Sequence, residues 1–430
     1  MVRSTAFKRM QWRMFILCWL AYAIAYFGRV NLSMALPELQ SFLSINKAQI
    51  GILGSLFFWI YGVGQLVNGN LADKFSSRVF VFIGLFVSAL MNLFFGFSQS
   101  LTAMCILWSV NGFAQSMLWG SITKTVSGWA RPEKRSSAAV GISTSMVGGF
   151  ILAWGVSGQI LKSQIWNWVF WTPGIVIMIY SFFWLFFIRS KPEDAYKAVE
   201  VHLEPSRPSD SEPVIKTSII KLFKKSGLGF IAVACLAQGM VKESISLWAP
   251  TFFMETHHLD IKGTLIFILA IPLMNLVGML LAGGLNKVFR YREKLTAMIF
   301  FLSGLVMAAG LITLGTKHLI LGVLFLGLLS ACMYGSNTIL LGVIPMGFAK
   351  ENKVATVAGG LDFTSYLAAG FAASITGIIV EAFGWNGVLC FWGIMLIIGV
   401  TALYLGQVYQ KSISKEDMKN VHQSLPKCSG

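Results

Sequence analysis

Residues 13–36 read RMFILCWLAYAIAYFGRVNLSMAL. As a helix rising 1.5 Å per residue they reach about 36 Å, enough to cross the ~30 Å hydrocarbon core of a bilayer. The stretch reads as a retained span. It is too long for a cleaved leader and carries Arg29 and Asn31 where a small-residue cleavage site is needed. Further apolar stretches fall at 49–72, 79–97, 101–129, 136–161 and 166–188, then at 227–252, 263–287, 295–315, 318–345, 354–381 and 386–409. Lipid offers the backbone no hydrogen-bond partner, so each stretch is read as a helix. The expected fold class is an all-α membrane protein with twelve transmembrane helices.

Composition agrees. The 430 residues are 56% hydrophobic and only 12% charged, against about 25% charged in soluble domains. Water-soluble enzymes and free nucleic-acid binders are thereby excluded. The net charge of +16 reflects orientation in the membrane rather than a polyanion partner. One alternating set of segments holds 27 Lys and Arg, and the other holds four (Lys47, Lys162, Lys262, Lys317). The positive-inside rule then places both termini in the cytoplasm of a multi-pass inner-membrane protein. Six cysteines at 18, 105, 235, 332, 390 and 428 show no paired spacing, so no disulfide or metal site is implied. No cofactor is expected.

A polar, proline-bearing segment, 189–226, reads as a cytoplasmic linker between six-helix bundles at 1–188 and 227–410, with a cytoplasmic tail at 411–430. The bundles repeat each other. Arg29 precedes Pro37 by eight residues in helix 1, and Lys242 precedes Pro250 by eight in helix 7. From Arg29 to Asp73 is 44 residues, as from Lys242 to Asn286. Trp166-Asn167 opens helix 6, and Trp385-Asn386 opens helix 12. Duplicated halves with a site at their junction are the usual build of a secondary transporter.

A charge at bilayer depth costs at least ~2.5–3.5 kcal/mol and marks a pathway. Arg29 and Lys242 lie equally deep, about 23 Å from the cytoplasmic ends of their helices. Such a pair, facing one cavity, repels itself when empty and suits a multivalent anion such as phosphate. Tyr22, Tyr26 and Arg29 share one helical face. Tyr61, Tyr334 and Asn337 are further polar groups in apolar spans. Glu243 and Asp362 are the acidic residues at depth, read either as proton sites or as counter-ions for Lys242. Lys124 is read as interfacial, and His257-His258 as a solvated loop. No Walker loop, nucleophile elbow or zinc signature is present, which argues against an ATP-driven pump or an enzyme.

The chain resembles the major facilitator superfamily, and within it the organophosphate:phosphate antiporters. The run Gly69-Asn70-Leu71-Ala72-Asp73-Lys74, ending at Arg78, resembles the superfamily's helix 2–3 signature, which implies a gating role for Gly69, Asp73, Lys74 and Arg78. Tyr26-Phe27-Gly28-Arg29-Val30-Asn31 resembles the antiporters' Tyr-Phe-x-Arg-x-Asn, whose Arg binds phosphate. Lys242 matches the second basic position, and Tyr22, Tyr26, Tyr61 and Tyr334 match pocket tyrosines. Departures are Gln65 for a family Lys, Ser145 for a His, and the additional carboxylate of Asp362. The resemblance implies the facilitator fold of two pseudo-symmetric bundles. It implies exchange of an organic phosphate for inorganic phosphate, by a monomer in the lipid bilayer, with no nucleic-acid partner. The alternatives are an ion-coupled symporter of an organic carboxylate, coupled through Asp362 or Glu243, and a transporter-like hexose-phosphate receptor.

Overall fold

The computed structural model describes residues 2–130, 135–163, 165–189, 227–348 and 354–424. The linker at 189–226, apart from Arg189, lies outside the described residues. Every regular element among them is a helix. The first half holds α1 (Val2–Leu43), α2 (Lys47–Lys74), α3 (Ser77–Phe97), α4 (Leu101–Ser116), α5 (Leu118–Trp129), α6 (Arg135–Leu161) and α7 (Trp168–Phe187). The second holds α8 (Leu228–Thr256), α9 (Ile261–Ile268), α10 (Ala270–Val288), α11 (Glu293–Gly310), α12 (Leu319–Asn337), the single turn α13 (Ile344–Met346) and α14 (Val354–Ser424). The apolar stretches at 101–129 and 263–287 are each one span bent at a joint, at Met117 and Leu269. Helices α1, α7 and α8 run through Pro37, Pro173 and Pro250, because neighbouring helices satisfy the freed backbone groups.

Among the described residues eleven helices are long and apolar enough to cross a membrane, and the last, Val357–Gln410, has 54 residues. At 1.5 Å per residue a straight helix of that length would measure about 81 Å, far more than one bilayer. It breaks at Gly384, where φ is 66° and ψ is −173°, a conformation essentially reserved for glycine. The contacts on either side show a reversal. Thr376, eight residues before Gly384, hydrogen-bonds Ser244 at 2.7 Å, and Trp392, eight after it, donates to the same Ser244 at 3.0 Å. Gly406 then returns to Phe230 at the start of α8. The last helix runs on past the apolar span, which ends at Gln410, to Ser424.

We call the face where α1 and α8 begin the terminal face. The halves are joined on the opposite face. There Lys47 Nζ pairs with Glu255 Oε2 at 2.7 Å, Trp385 Nε1 donates to the same oxygen at 2.9 Å, and the Lys47 backbone N–H donates to Glu381. An antiparallel seam of α2 and α14 continues inward. Ser55 Oγ donates to Gly370 O and meets Ser374 Oγ, Trp59 Nε1 donates to Leu367 O, and Gly62 lies against Tyr366. At Gly51 an added Cβ would stand 2.8 Å from Ala373 O. Nearer the terminal face, a Cβ at Gly69 or Gly359 would meet nothing within 4 Å, so neither glycine packs against a neighbour as Gly51 does.

Candidate functional site

Where the α2–α14 seam ends, Arg29 lies on α1, only 8% exposed. Three side-chain amides fix the backbone beside it. Asn92, Asn111 and Gln115 each donate to Gly28 O, at 3.1, 3.0 and 3.3 Å. An added Cβ at Gly28 would run into Ile177 Cδ1 and stand 3.0 Å from Asn92 Nδ2, so a larger residue there would push both side chains aside. Asn31 Nδ2 donates to Asn92 Oδ1 at 3.1 Å and to Val169 O at 2.9 Å, tying α1 to α3 and α7.

Five rings enclose the guanidinium carbon of Arg29: Tyr61 at 4.6 Å, Tyr26 at 5.1 Å, Phe57 at 5.2 Å, Tyr366 at 5.4 Å and Phe58 at 5.6 Å. Ring faces stabilise a buried cation by roughly 0.5–2 kcal/mol each, but they leave its in-plane donors unused. Five N–H groups are served by one long hydrogen bond, Nη2 to Tyr366 Oη at 3.4 Å. Among the described residues no carboxylate lies within ion-pair distance of Arg29. A fork of that geometry, short of acceptors, suits a planar or tetrahedral oxyanion.

Lys242 on α8 is equally buried, and both cations face the Tyr366 ring, Lys242 Nζ at 6.0 Å. The two predicted cations are therefore brought together across one aromatic side chain. Glu243, read from the sequence as either a proton site or a counter-ion, lies against Lys242. Lys242 Nζ pairs with Glu243 at 2.8 Å, because two long adjacent side chains bend toward one another in a dry setting. Glu243 is thus a counter-ion. Asp362 lies one turn before Tyr366, half-buried and within the fields of Lys242 and Arg29.

The remaining predicted residues fall around this centre. The Tyr22 ring packs on Tyr26 at 5.2 Å and on Trp119 at 4.8 Å. Gln65 Nε2 donates to Tyr61 Oη at 2.7 Å. Tyr334 lies 5.3 Å from Lys242 Nζ. Asn337 ends α12 where the backbone widens into a π-helical segment, Thr338–Val343, and its Oδ1 is buried without a partner. Such bulges gather at functional sites. Tyr366, which touches both cations, is absent from the sequence reading. Its one signal is its i+4 spacing from Asp362.

The predicted gating residues lie elsewhere. Gly69 is exposed. Arg78 Nε donates to Leu185 O at 2.5 Å, and Trp184 Nε1 donates back to Arg78 O at 3.0 Å, so Arg78 binds α3 to α7 within one half. Asp73 and Lys74 end α2, and their side chains lie outside the described residues. Lys124, exposed at the level where α2 ends, donates from Nζ to Ala72 O at 2.8 Å. His257 is not a solvated loop residue. Its ring stacks on Phe253 at 5.9 Å, and burial lowers its pKa below the ordinary 6.5.

Two cations buried where two helical halves meet, in a chain of long apolar helices, are the build of a membrane transporter rather than an enzyme. Residues 18–373 match the Major Facilitator Superfamily, and the chain belongs to it. It is similar to a probable hexose phosphate transport protein of Chlamydia trachomatis, 24% identical over 93% of this chain and 91% of that one. It is also similar to the glycerol-3-phosphate transporter of Bacillus subtilis, 26% identical over 89% of each chain. Among solved structures it shares the fold of a bacterial homologue of the human lysosomal transporter Spinster. That match has a TM-score of 0.69 at 15% identity, covering 95% of this chain and 98% of the other.

Proposed function

We propose that this chain exchanges an organic phosphate ester, a sugar phosphate or glycerol phosphate, for inorganic phosphate by alternating access. The observation that carries the reading is Arg29, a buried fork of donors with no carboxylate partner among the described residues. The hexose-phosphate and glycerol-3-phosphate transport of similar proteins supports it. The bundles 1–188 and 227–410 rock about the shared site, both termini are cytoplasmic, and one chain supplies both cations, so a monomer suffices. Phosphate enters from the terminal face, displaces the Tyr366 hydroxyl from Arg29, and draws in Lys242 at the expense of its pair with Glu243. Binding by groups from both halves lowers the barrier to rocking. The empty carrier keeps an uncompensated guanidinium in a dry chamber and crosses slowly, which makes exchange obligatory.

Counterflow in proteoliposomes tests this. Sugar-phosphate uptake is expected to require internal phosphate, and uptake indifferent to internal phosphate contradicts exchange. A second reading rests on Asp362, a carboxylate beside both cations: proton-coupled uptake of an organic anion. Abolition of uptake by a protonophore, with loss of coupling in Asp362→Asn, would favour that reading.

A further inference from the structure

The start of α1 carries Lys8, Arg9 and Arg13 around Trp12, whose side chain is 66% exposed. The uncharged apolar run of α1 begins after Arg13, so this cluster stands at the boundary of the membrane. Among the described residues none of the three cations has a carboxylate within ion-pair distance. Arg13 instead lies 5.5 Å above the Phe187 ring.

Two cavities flank Trp12. One, of about 580 Å³, lies toward α5 and α6 and is walled by Lys8, Trp12, Phe15, Trp19 and Trp129. The other, of about 570 Å³, lies toward α7 and is walled by Lys8, Trp12, Ile16, Leu20 and Phe183. They share Lys8 and Trp12. Along α1 the first extends from Lys8 to Trp19, about 16 Å, and the second from Lys8 to Leu20, about 18 Å. Both lengths match the hydrocarbon of a single leaflet, half of ~30 Å. Two polar groups deeper in the first slot are already occupied. Gln11 Nε2 donates to Trp129 O at 2.6 Å, and Trp19 Nε1 donates to Thr144 Oγ1 at 2.9 Å. The slots offer an occupant mainly aromatic and aliphatic walls, while a group at their shared mouth meets Lys8 from both and Arg9 and Arg13 from the second.

We infer that this is a binding site for one anionic phospholipid. Its head-group phosphate lies among Lys8, Arg9 and Arg13, and its two acyl chains straddle Trp12, one in each slot. Basic clusters at the ends of transmembrane helices recognise anionic head groups in this way. The site is separate from the transport chamber, and it braces the helix that carries Arg29.

The test is native mass spectrometry of the full chain purified in mild detergent and titrated with phosphatidylglycerol or phosphatidylcholine. One phosphatidylglycerol is expected to be retained by the natural protein. At about 1 kcal/mol per cation, roughly fivefold each, the triple variant Lys8→Gln/Arg9→Gln/Arg13→Gln should bind it about a hundredfold more weakly. The variant Lys8→Arg/Arg9→Lys/Arg13→Lys, which keeps all three charges, should retain it and guards against misfolding of the first variant. Equal retention by the neutral and charge-keeping variants would overturn the proposal, as would equal retention of phosphatidylcholine. Displacement of the lipid by millimolar inorganic phosphate alone would assign the cations to a free anion and overturn the lipid assignment.

Discussion

Neutralising Glu255 perturbs the seal on the face opposite the termini. Glu255 Oε2 is shared by Lys47 Nζ at 2.7 Å and Trp385 Nε1 at 2.9 Å, and the Lys47 and Glu255 side chains are 18% and 37% exposed. A partly exposed pair of this kind contributes about 0.5–1 kcal/mol. In Glu255→Gln the amide oxygen still accepts from Trp385, so the loss is the charge term alone. The population with the opposite face open should then rise about two- to fivefold. Spin labels at Ser41 and Lys262, one on each half near that face, report the opening as a second, longer distance in pulsed dipolar spectroscopy. Lys47→Gln should give the same shift, and the double variant no more than either single, because one interaction is being removed twice. The reasoning is refuted if the single shifts add, or if neither variant changes the distance distribution.

Three further outcomes follow from local geometry. Gly384→Val forces a side chain into a φ of 66° at the reversal of α14 and should cost about 1–3 kcal/mol, read as a lower unfolding midpoint in detergent. Gly149→Ala puts a methyl group against Tyr26 and 2.7 Å from Ala23 O, and should lower the midpoint and weaken transport together. Gly155→Ala, with nothing within 4 Å, should change neither. His257 binds protons less readily folded than unfolded, so its contribution to stability is complete above pH 6.5 and is lost as pH falls through its lowered pKa. His257→Phe should therefore flatten the dependence of the midpoint on pH between about 7 and 5; an unchanged slope contradicts this.

Much of this was legible in the sequence, because lipid leaves few solutions. The all-helical fold and the positions of the long apolar helices follow from apolar run lengths and a 1.5 Å rise. What escaped depends on side-chain direction across helices far apart in the chain. Tyr366 reads as one more aromatic in an apolar helix until α14 is laid along α2. The amides of Asn92, Asn111 and Gln115 carry no pattern that marks their shared target, the Gly28 carbonyl. Glu243 was visible as a neighbour of Lys242, but adjacent residues on a helix point apart by default. Their pairing is a matter of rotamers in a dry chamber. His257 was misplaced because its loop position hides the ring packing on Phe253.

The central claim is that Arg29 receives the phosphate, and equilibrium binding of labelled inorganic phosphate to purified Arg29 variants tests it most directly. Removing one partner of a buried charge pair costs about 2–5 kcal/mol, so Arg29→Ala should weaken binding at least thirtyfold. Arg29→Lys, which keeps the charge and loses the fork, should fall between. Phosphate binding of natural affinity in a folded Arg29→Ala protein would contradict the account.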